Sequence, residues 1–160
     1  MIPSGTRSAS GEPLTPAELA AWAGALRTVI RLRAELGAAL TAHHGLSMAD
    51  YDFLVRLTDA ESHRMRMADL ARRILQPRSS LTRIATGLEQ RGLVRREPSA
   101  DDGRGTEVVL TPAGLALLRA AQRDHLDHVR ERFLSHLDDA QLAALADAWE
   151  AIGRAAEEGP

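Results

Sequence analysis

The chain has no cysteine, which excludes disulfides, thiolate metal sites and thiol redox sensing. It has no lysine either, since all twenty basic side chains are arginine; with the abundance of alanine this is compatible with a bias of base composition and carries no functional inference. Aromatic residues make up only 3%, so a core has to be built from Leu, Ala, Val and Ile. No apolar run approaches the roughly 20 residues of a membrane span, and the N-terminus lacks the charged-then-apolar pattern of a secretory signal. A soluble, cytoplasmic protein is the expectation. No nucleophile elbow, phosphate loop or pair of catalytic carboxylates stands out, so neither enzymatic activity nor a cofactor is expected.

What is present suffices for one folded domain, or one domain with a helical extension. The chain has 160 residues, 44% of them hydrophobic, within the ordinary globular range. Its formal net charge of −2 conceals an uneven distribution. Residues 64–104 hold ten arginines and five acids, and the rest of the chain holds ten arginines and seventeen acids. A basic module in an acidic body is the footprint of local polyanion binding.

Residues 1–13, rich in Ser, Gly and Pro, read as a disordered tail. Thr15-Pro16-Ala17-Glu18 then sets a capping box with proline in the first turn. Leu19, Trp22, Leu26, Val29, Ile30, Leu36 and Leu40 follow at helical spacing to about His43, and Gly45 stops the helix. Ser47 and Asp50 form the next capping box, with Phe53, Leu54 and Leu57 on the apolar face of a second helix. His63 to Met67 reads as a short, extended connection. Thr111-Pro112 opens a helix of about 25 residues, with Leu115, Leu118, Leu126, Val129, Phe133 and Leu137 on its buried side. Asp138 and Gln141 cap a last helix striped by Leu142, Leu145, Trp149 and Ile152.

The middle of the chain carries the functional signal. A short helix around Leu70, Ala71 and Ile74 is broken at Gln76-Pro77. A second helix then starts, with Leu81, Ile84, Ala85 and Leu88 toward the core at i, i+3, i+4 and i+7. Its first two turns carry Arg78, Ser79, Ser80, Thr82 and Arg83; Arg78, Ser79, Thr82, Arg83 and Thr86 are left largely on its other faces, and Gly92 suits a left-handed C-terminal cap. Strand-like runs at 93–96 and 107–110 flank the turn Asp-Asp-Gly-Arg-Gly, giving a two-stranded hairpin with a charged tip. Short polar and cationic side chains at the start of a helix suit the base edges and phosphates of a DNA major groove. An arginine between glycines suits a neighbouring minor groove.

These residues closely resemble the MarR (multiple antibiotic resistance regulator) family. The family pattern is a recognition helix, the run Leu-Glu-x-x-Gly-Leu-Val-x-Arg, a wing Asp-x-Arg and then Leu-Thr-x-x-Gly. Here it is matched in order by Leu88 through Arg96, by Asp102-Gly103-Arg104 and by Leu110-Thr111-Pro112-Ala113-Gly114. The resemblance implies a mainly α fold with a small antiparallel β wing, a winged helix-turn-helix with N- and C-terminal dimerisation helices. In that scheme 14–46 and 112–157 supply the dimerisation helices. The DNA-binding domain is 47–111, with the helix-turn-helix at 67–91 and the wing at 93–111. The resemblance further implies a homodimer that binds double-stranded DNA at a palindromic operator, a repressor released by a small anionic or phenolic effector held between the dimer helices and the winged domain. By position Arg104 is the wing arginine and Asp102 its support. No effector-binding residues can be assigned. The competing reading is a protein-interaction module that uses the winged helix without sequence-specific DNA contact.

Other features carry less. Of Arg95 and Arg96, neighbours on a strand, one alone can face DNA. Arg64 and Arg66 either meet phosphate or stay solvated. Met65 and Met67 read as packing at the wing base, and Trp22 and Trp149 as dimer-core anchors. His43 and His44 end the first helix, while His125 and His128 stand at i, i+3 on the fifth. Together they are candidates for a zinc site, although interface or surface histidines are the simpler expectation.

Overall fold

The computed structural model describes residues 13–74, 78–98 and 105–158. The proposed tail therefore falls, but for its last residue, outside the described residues, as do the Gln76-Pro77 break and the wing tip. In chain order the helices are α1 (Pro16–His44), α2 (Met48–Thr58), α3 (Met67–Arg73), α4 (Arg78–Gln90), α5 (Pro112–Arg132) and α6 (Asp139–Glu158). The strands are β1 (Arg64–Arg66), β2 (Val94–Pro98) and β3 (Thr106–Leu110). The fold is mainly helical with one small antiparallel sheet. None of the helices is long and apolar enough to cross a membrane among the described residues.

Two compact units divide at Arg31 and Leu32, inside α1. In the first, Thr15 and Glu18 cap the helix reciprocally: the Thr15 backbone N donates to Glu18 Oε2 at 2.8 Å and the Glu18 N to Thr15 Oγ1 at 3.3 Å. The apolar stripe of this unit, Leu19, Trp22, Leu26, Val29 and Ile30, is exposed.

The second unit is organised around α2, which packs against α3, α4, α5 and the sheet. Gly45, with φ 63°, ends α1 in the left-handed conformation a glycine tolerates. The Ser47–Asp50 capping box then starts α2 with both reciprocal bonds made. Phe53, Leu54 and Leu57 of α2 are fully buried with Leu70, Leu81, Ala85, Leu88, Val108 and Leu118. At about 25 cal/mol per Å² of apolar surface removed from water, such Leu and Phe side chains each contribute roughly 2 kcal/mol before entropy is counted.

The sheet holds one strand more than the hairpin expected from the sequence. Its order is β1-β3-β2, with Arg64 opposite Val109 and Arg66 opposite Glu107 on one side of β3, and Val94 opposite Leu110 on the other. Before β1 the chain turns through Ser62 and His63, both with positive φ. A second difference concerns α5, which stops after 21 residues. At Phe133 (φ −132°, ψ −62°) the backbone leaves the helix for the 3₁₀ turn Leu134–His136, so Leu137 is not on α5. On α5 itself Leu118 is buried, whereas Leu126 is 50% exposed.

A latch joins α4 to α5. Thr111 Oγ1 caps α5 by accepting from the Gly114 N at 3.0 Å and lies 2.8 Å from the Gly92 carbonyl O, while the Thr111 N donates to Leu93 O at 3.1 Å. The two motif segments Gly-Leu-Val and Leu-Thr-x-x-Gly are thus one structural joint.

Candidate nucleic-acid interface

The apolar residues of α4 fix what its opposite face presents. Leu81, Ala85 and Leu88 are fully buried. Ser79, Thr82 and Arg83 are exposed, and Ser80 is half-buried. At 100° per residue this is the division the 3.6-residue period imposes. The side chain of Arg78 and all of Asp102 and Arg104 lie outside the described residues.

Thr86 is not the open outward side chain its spacing suggests. Its hydroxyl lies 2.9 Å from the Thr82 carbonyl O, and it accepts from Arg96 Nη2 at 2.7 Å. The two wing arginines separate as strand alternation requires. Arg96 turns onto α4, where Nη2 also donates to Thr82 O at 3.0 Å. Arg95 reaches Glu97 on its own strand.

The wing base holds its charges in pairs. Glu97 of β2 and Glu107 of β3 stand directly opposite each other, a repulsive arrangement. Arg64 lies between them: it bonds Glu97, and its Nε is 3.4 Å from Glu107 Oε2. The Arg95 hydrogen bond, with the charges of Arg95 and Arg64, holds the Glu97 carboxyl below the usual range against a smaller desolvation effect. Arg64 is therefore engaged with the wing's own glutamates. Met65, between the two β1 arginines, is buried, and Met67 packs against the core.

Two hollows flank α4. One, of about 440 Å³, lies toward the wing, with Arg66, Ala71, Thr82 and Arg96 on its walls. The other, of about 300 Å³, lies toward the start of α2, beside Ser80, Arg83 and Gly87.

The four histidines converge where α1 ends against α5, but each makes its own contact. His44 Nε2 is 2.7 Å from Asp124 Oδ2, and His128 Nδ1 is 2.7 Å from the Asp124 carbonyl O. The His43 and His128 rings lie 5.9 Å apart, and His125 lies 4.7 Å from the Tyr51 ring. Burial pushes the His125 imidazole below its ordinary range, opposed by the charge of Asp52 and assisted by His128. Among the described residues, no group of three or more His, Cys, Asp or Glu is arranged to hold a metal ion.

Comparison with known proteins agrees with this arrangement. The MarR family model matches residues 44–105. The crystal structure of AbsC, a MarR family transcriptional regulator from Streptomyces coelicolor, superposes with a TM-score of 0.82 at 37% identity over 89% of this chain and 96% of that one. Sco3205, another MarR family regulator of that organism, crystallised in complex with DNA, superposes with a TM-score of 0.84 at 29% identity over 91% of each chain. The HTH-type transcriptional repressor YetL of Bacillus subtilis is 29% identical over 114 residues, covering 69% of this chain and 68% of YetL. With the winged helix-turn-helix, the buried face of α4 and the joined motif segments all in place, the chain belongs to the MarR family of transcriptional regulators.

Proposed function

We propose that the protein is a dimeric repressor that places α4 in the major groove of double-stranded DNA, one copy per half of a palindromic operator, and leaves the operator when a small anionic or phenolic effector binds. The observation that carries the DNA reading is the outward presentation of Ser79, Thr82 and Arg83 from a helix whose other face is sealed in the core. Ser80, Arg78 and Arg104 complete the proposed contact set, with Asp102 supporting the wing arginine. Residues 47–111 are the DNA-binding part, and 14–46 with 112–157 hold the two copies together. The DNA-bound form of Sco3205 and the naming of YetL as a repressor support the DNA contact and the repressor mode. The effector step rests on the family resemblance, which places the effector between the dimer helices and the winged domain; the hollow beside Thr82 and Arg96 is lined by α3, α4 and the wing instead.

The test is selection of duplexes from a randomised pool by the purified protein, followed by binding titrations across salt concentrations. Affinity for the enriched duplex should fall steeply with salt, because arginines that neutralise phosphates release counterions. Arg83→Ala should cost about 1–3 kcal/mol of discrimination if its guanidinium reads guanine in two-pronged fashion. Equal affinity for enriched and random duplexes would instead favour a protein-interaction module. Release by phenolic acids is read in the same titration, as displacement of the enriched duplex.

A further inference from the structure

Arg96 of β2 bonds three residues of α4. Nη2 donates to the Thr82 carbonyl O at 3.0 Å and to Thr86 Oγ1 at 2.7 Å. Nη1 lies 3.6 Å from Glu89 Oε2, and the Arg96 backbone N donates to Glu89 Oε1 at 3.0 Å. Thr82, Thr86 and Glu89 stand at i, i+4 and i+7, so the guanidinium and its backbone grip one face of the helix across two turns. The group is planar and its donors are fixed in direction, so it holds an angle as well as a distance.

That angle matters for reading a duplex. Core packing of Leu81, Ala85 and Leu88 seats α4, but close-packed aliphatic side chains do not fix its roll as sharply as directional bonds do. The surface of a helix with its side chains lies about 5–6 Å from the axis, so a roll of about 10° moves a side-chain tip by about 1 Å. Hydrogen bonds to base edges tolerate only a few tenths of an ångström. Thr82 is at once an exposed residue of the proposed reading face and, through its carbonyl, an anchor of the grip.

We propose that Arg96 is a positioning residue for duplex recognition: by tying β2 to Thr82, Thr86 and Glu89 it sets the roll of α4 and its angle to the wing, so that helix and wing meet the DNA in one register. This rests on the reading that α4 enters the major groove. Arg96 itself touches no base and neutralises no phosphate.

The experiment compares wild type with Arg96→Ala, Arg96→Lys and Thr86→Val. The probes are the duplex that the wild-type protein enriches from a randomised pool and a scrambled duplex of the same composition. Three quantities are read for each protein: the ratio of the two affinities, the slope of affinity against salt, and the melting temperature. Arg96→Ala should lower the affinity ratio about tenfold, the scale of losing one base pair's worth of readout, with the salt slope unchanged. Arg96→Lys restores the charge and not the planar fork, so the ratio should stay low. Thr86→Val keeps shape and charge while removing one anchor, and should lower the ratio by a smaller factor in the same direction. The proposal is overturned if the salt slope drops by about one and lysine restores binding, since Arg96 is then a phosphate contact. It is equally overturned if the melting temperature falls while the ratio holds in Arg96→Ala and Thr86→Val, since the bonds then serve stability alone. Failure of the wild-type protein to enrich any duplex removes the DNA reading itself, and this proposal with it.

Discussion

Gly114 shows how a single atom constrains this fold. A Cβ built there would lie 2.0 Å from the Leu93 carbonyl O and 2.9 Å from Leu110 Cδ1. The obstructing oxygen belongs to backbone and already accepts from the Thr111 N, so it cannot yield without breaking the joint between α4 and α5. Gly114→Ala should therefore destabilise the protein by about 3 kcal/mol, the upper part of the range for an overpacked core. The check is the midpoint of urea unfolding. Gly87, where an added Cβ meets nothing within 4 Å, is the control: alanine there should be neutral or stabilising, since glycine in a helix interior costs about 1 kcal/mol relative to alanine. His125 supplies a residue-scale prediction of another kind. Its folded pKa lies below the ordinary value of 6.5, chiefly through burial. Between the two values the unfolded chain binds more protons than the folded one, so stability falls as pH drops through that window and levels off below it. His125→Phe retains a ring against Tyr51 and removes the proton. A melting temperature measured from pH 7.5 down to 5 should decline less in that variant than in wild type; parallel curves would remove His125 from the pH response.

At the scale of elements, the sheet joins what helix periodicity cannot connect. β1 is a three-residue Arg-Met-Arg strand with one buried side chain, too short and too charged to announce itself, and its partner β3 lies some forty residues further on. Its consequence is electrostatic: Arg64 reaches both opposed glutamates of the wing. Arg64→Ala should remove the charge shared between Glu97 and Glu107, leaving Glu97 to Arg95, and lower the melting temperature slightly, as expected of a solvent-screened ion pair. The loss should shrink in high salt and disappear in the double variant Arg64→Ala with Glu107→Gln, both read by thermal denaturation. The same reasoning explains what was legible beforehand. Helix starts at Thr15, Ser47, Thr111 and Asp138, and stops at Gly45 and Gly92, depend on residues within four positions of one another, so spacing reveals them. The outward face of α4 follows from one period. The third strand and the bonds that draw Thr86 and Arg96 together depend on contacts between distant segments, which no local pattern encodes.

At the scale of the whole molecule, the apolar side chains that remain open are concentrated on the terminal helices. Taken by itself, the N-terminal part of α1 exposes Trp22 at 63% and Ile30 at 62%. In the second unit Leu126 of α5, and Trp149 and Ile152 of α6, are about half-exposed. Isolated apolar residues on a surface need no explanation, but large ones repeated at helical spacing do. On the dimeric reading proposed above, a second copy of the chain would cover them, since a two-fold pair buries the same faces on both partners and would set the two α4 helices about 34–36 Å apart, one turn of the duplex. Sedimentation velocity at micromolar concentration should then give a dimer, and the melting temperature should rise with protein concentration. Trp149→Glu places a charge in the face the proposed dimer would bury and should shift the protein toward monomer. Its effect on DNA follows from the same geometry. A dimer binds its second half-site at a high effective concentration, so a change that splits it lowers affinity for a two-half-site duplex by a factor of a hundred or more. Affinity for a single half-site should stay nearly constant, since α4 is untouched. Equal losses on both duplexes would mean that the substitution damaged the winged domain, and a wild-type protein that sediments as a monomer would leave the exposed tryptophans to another partner.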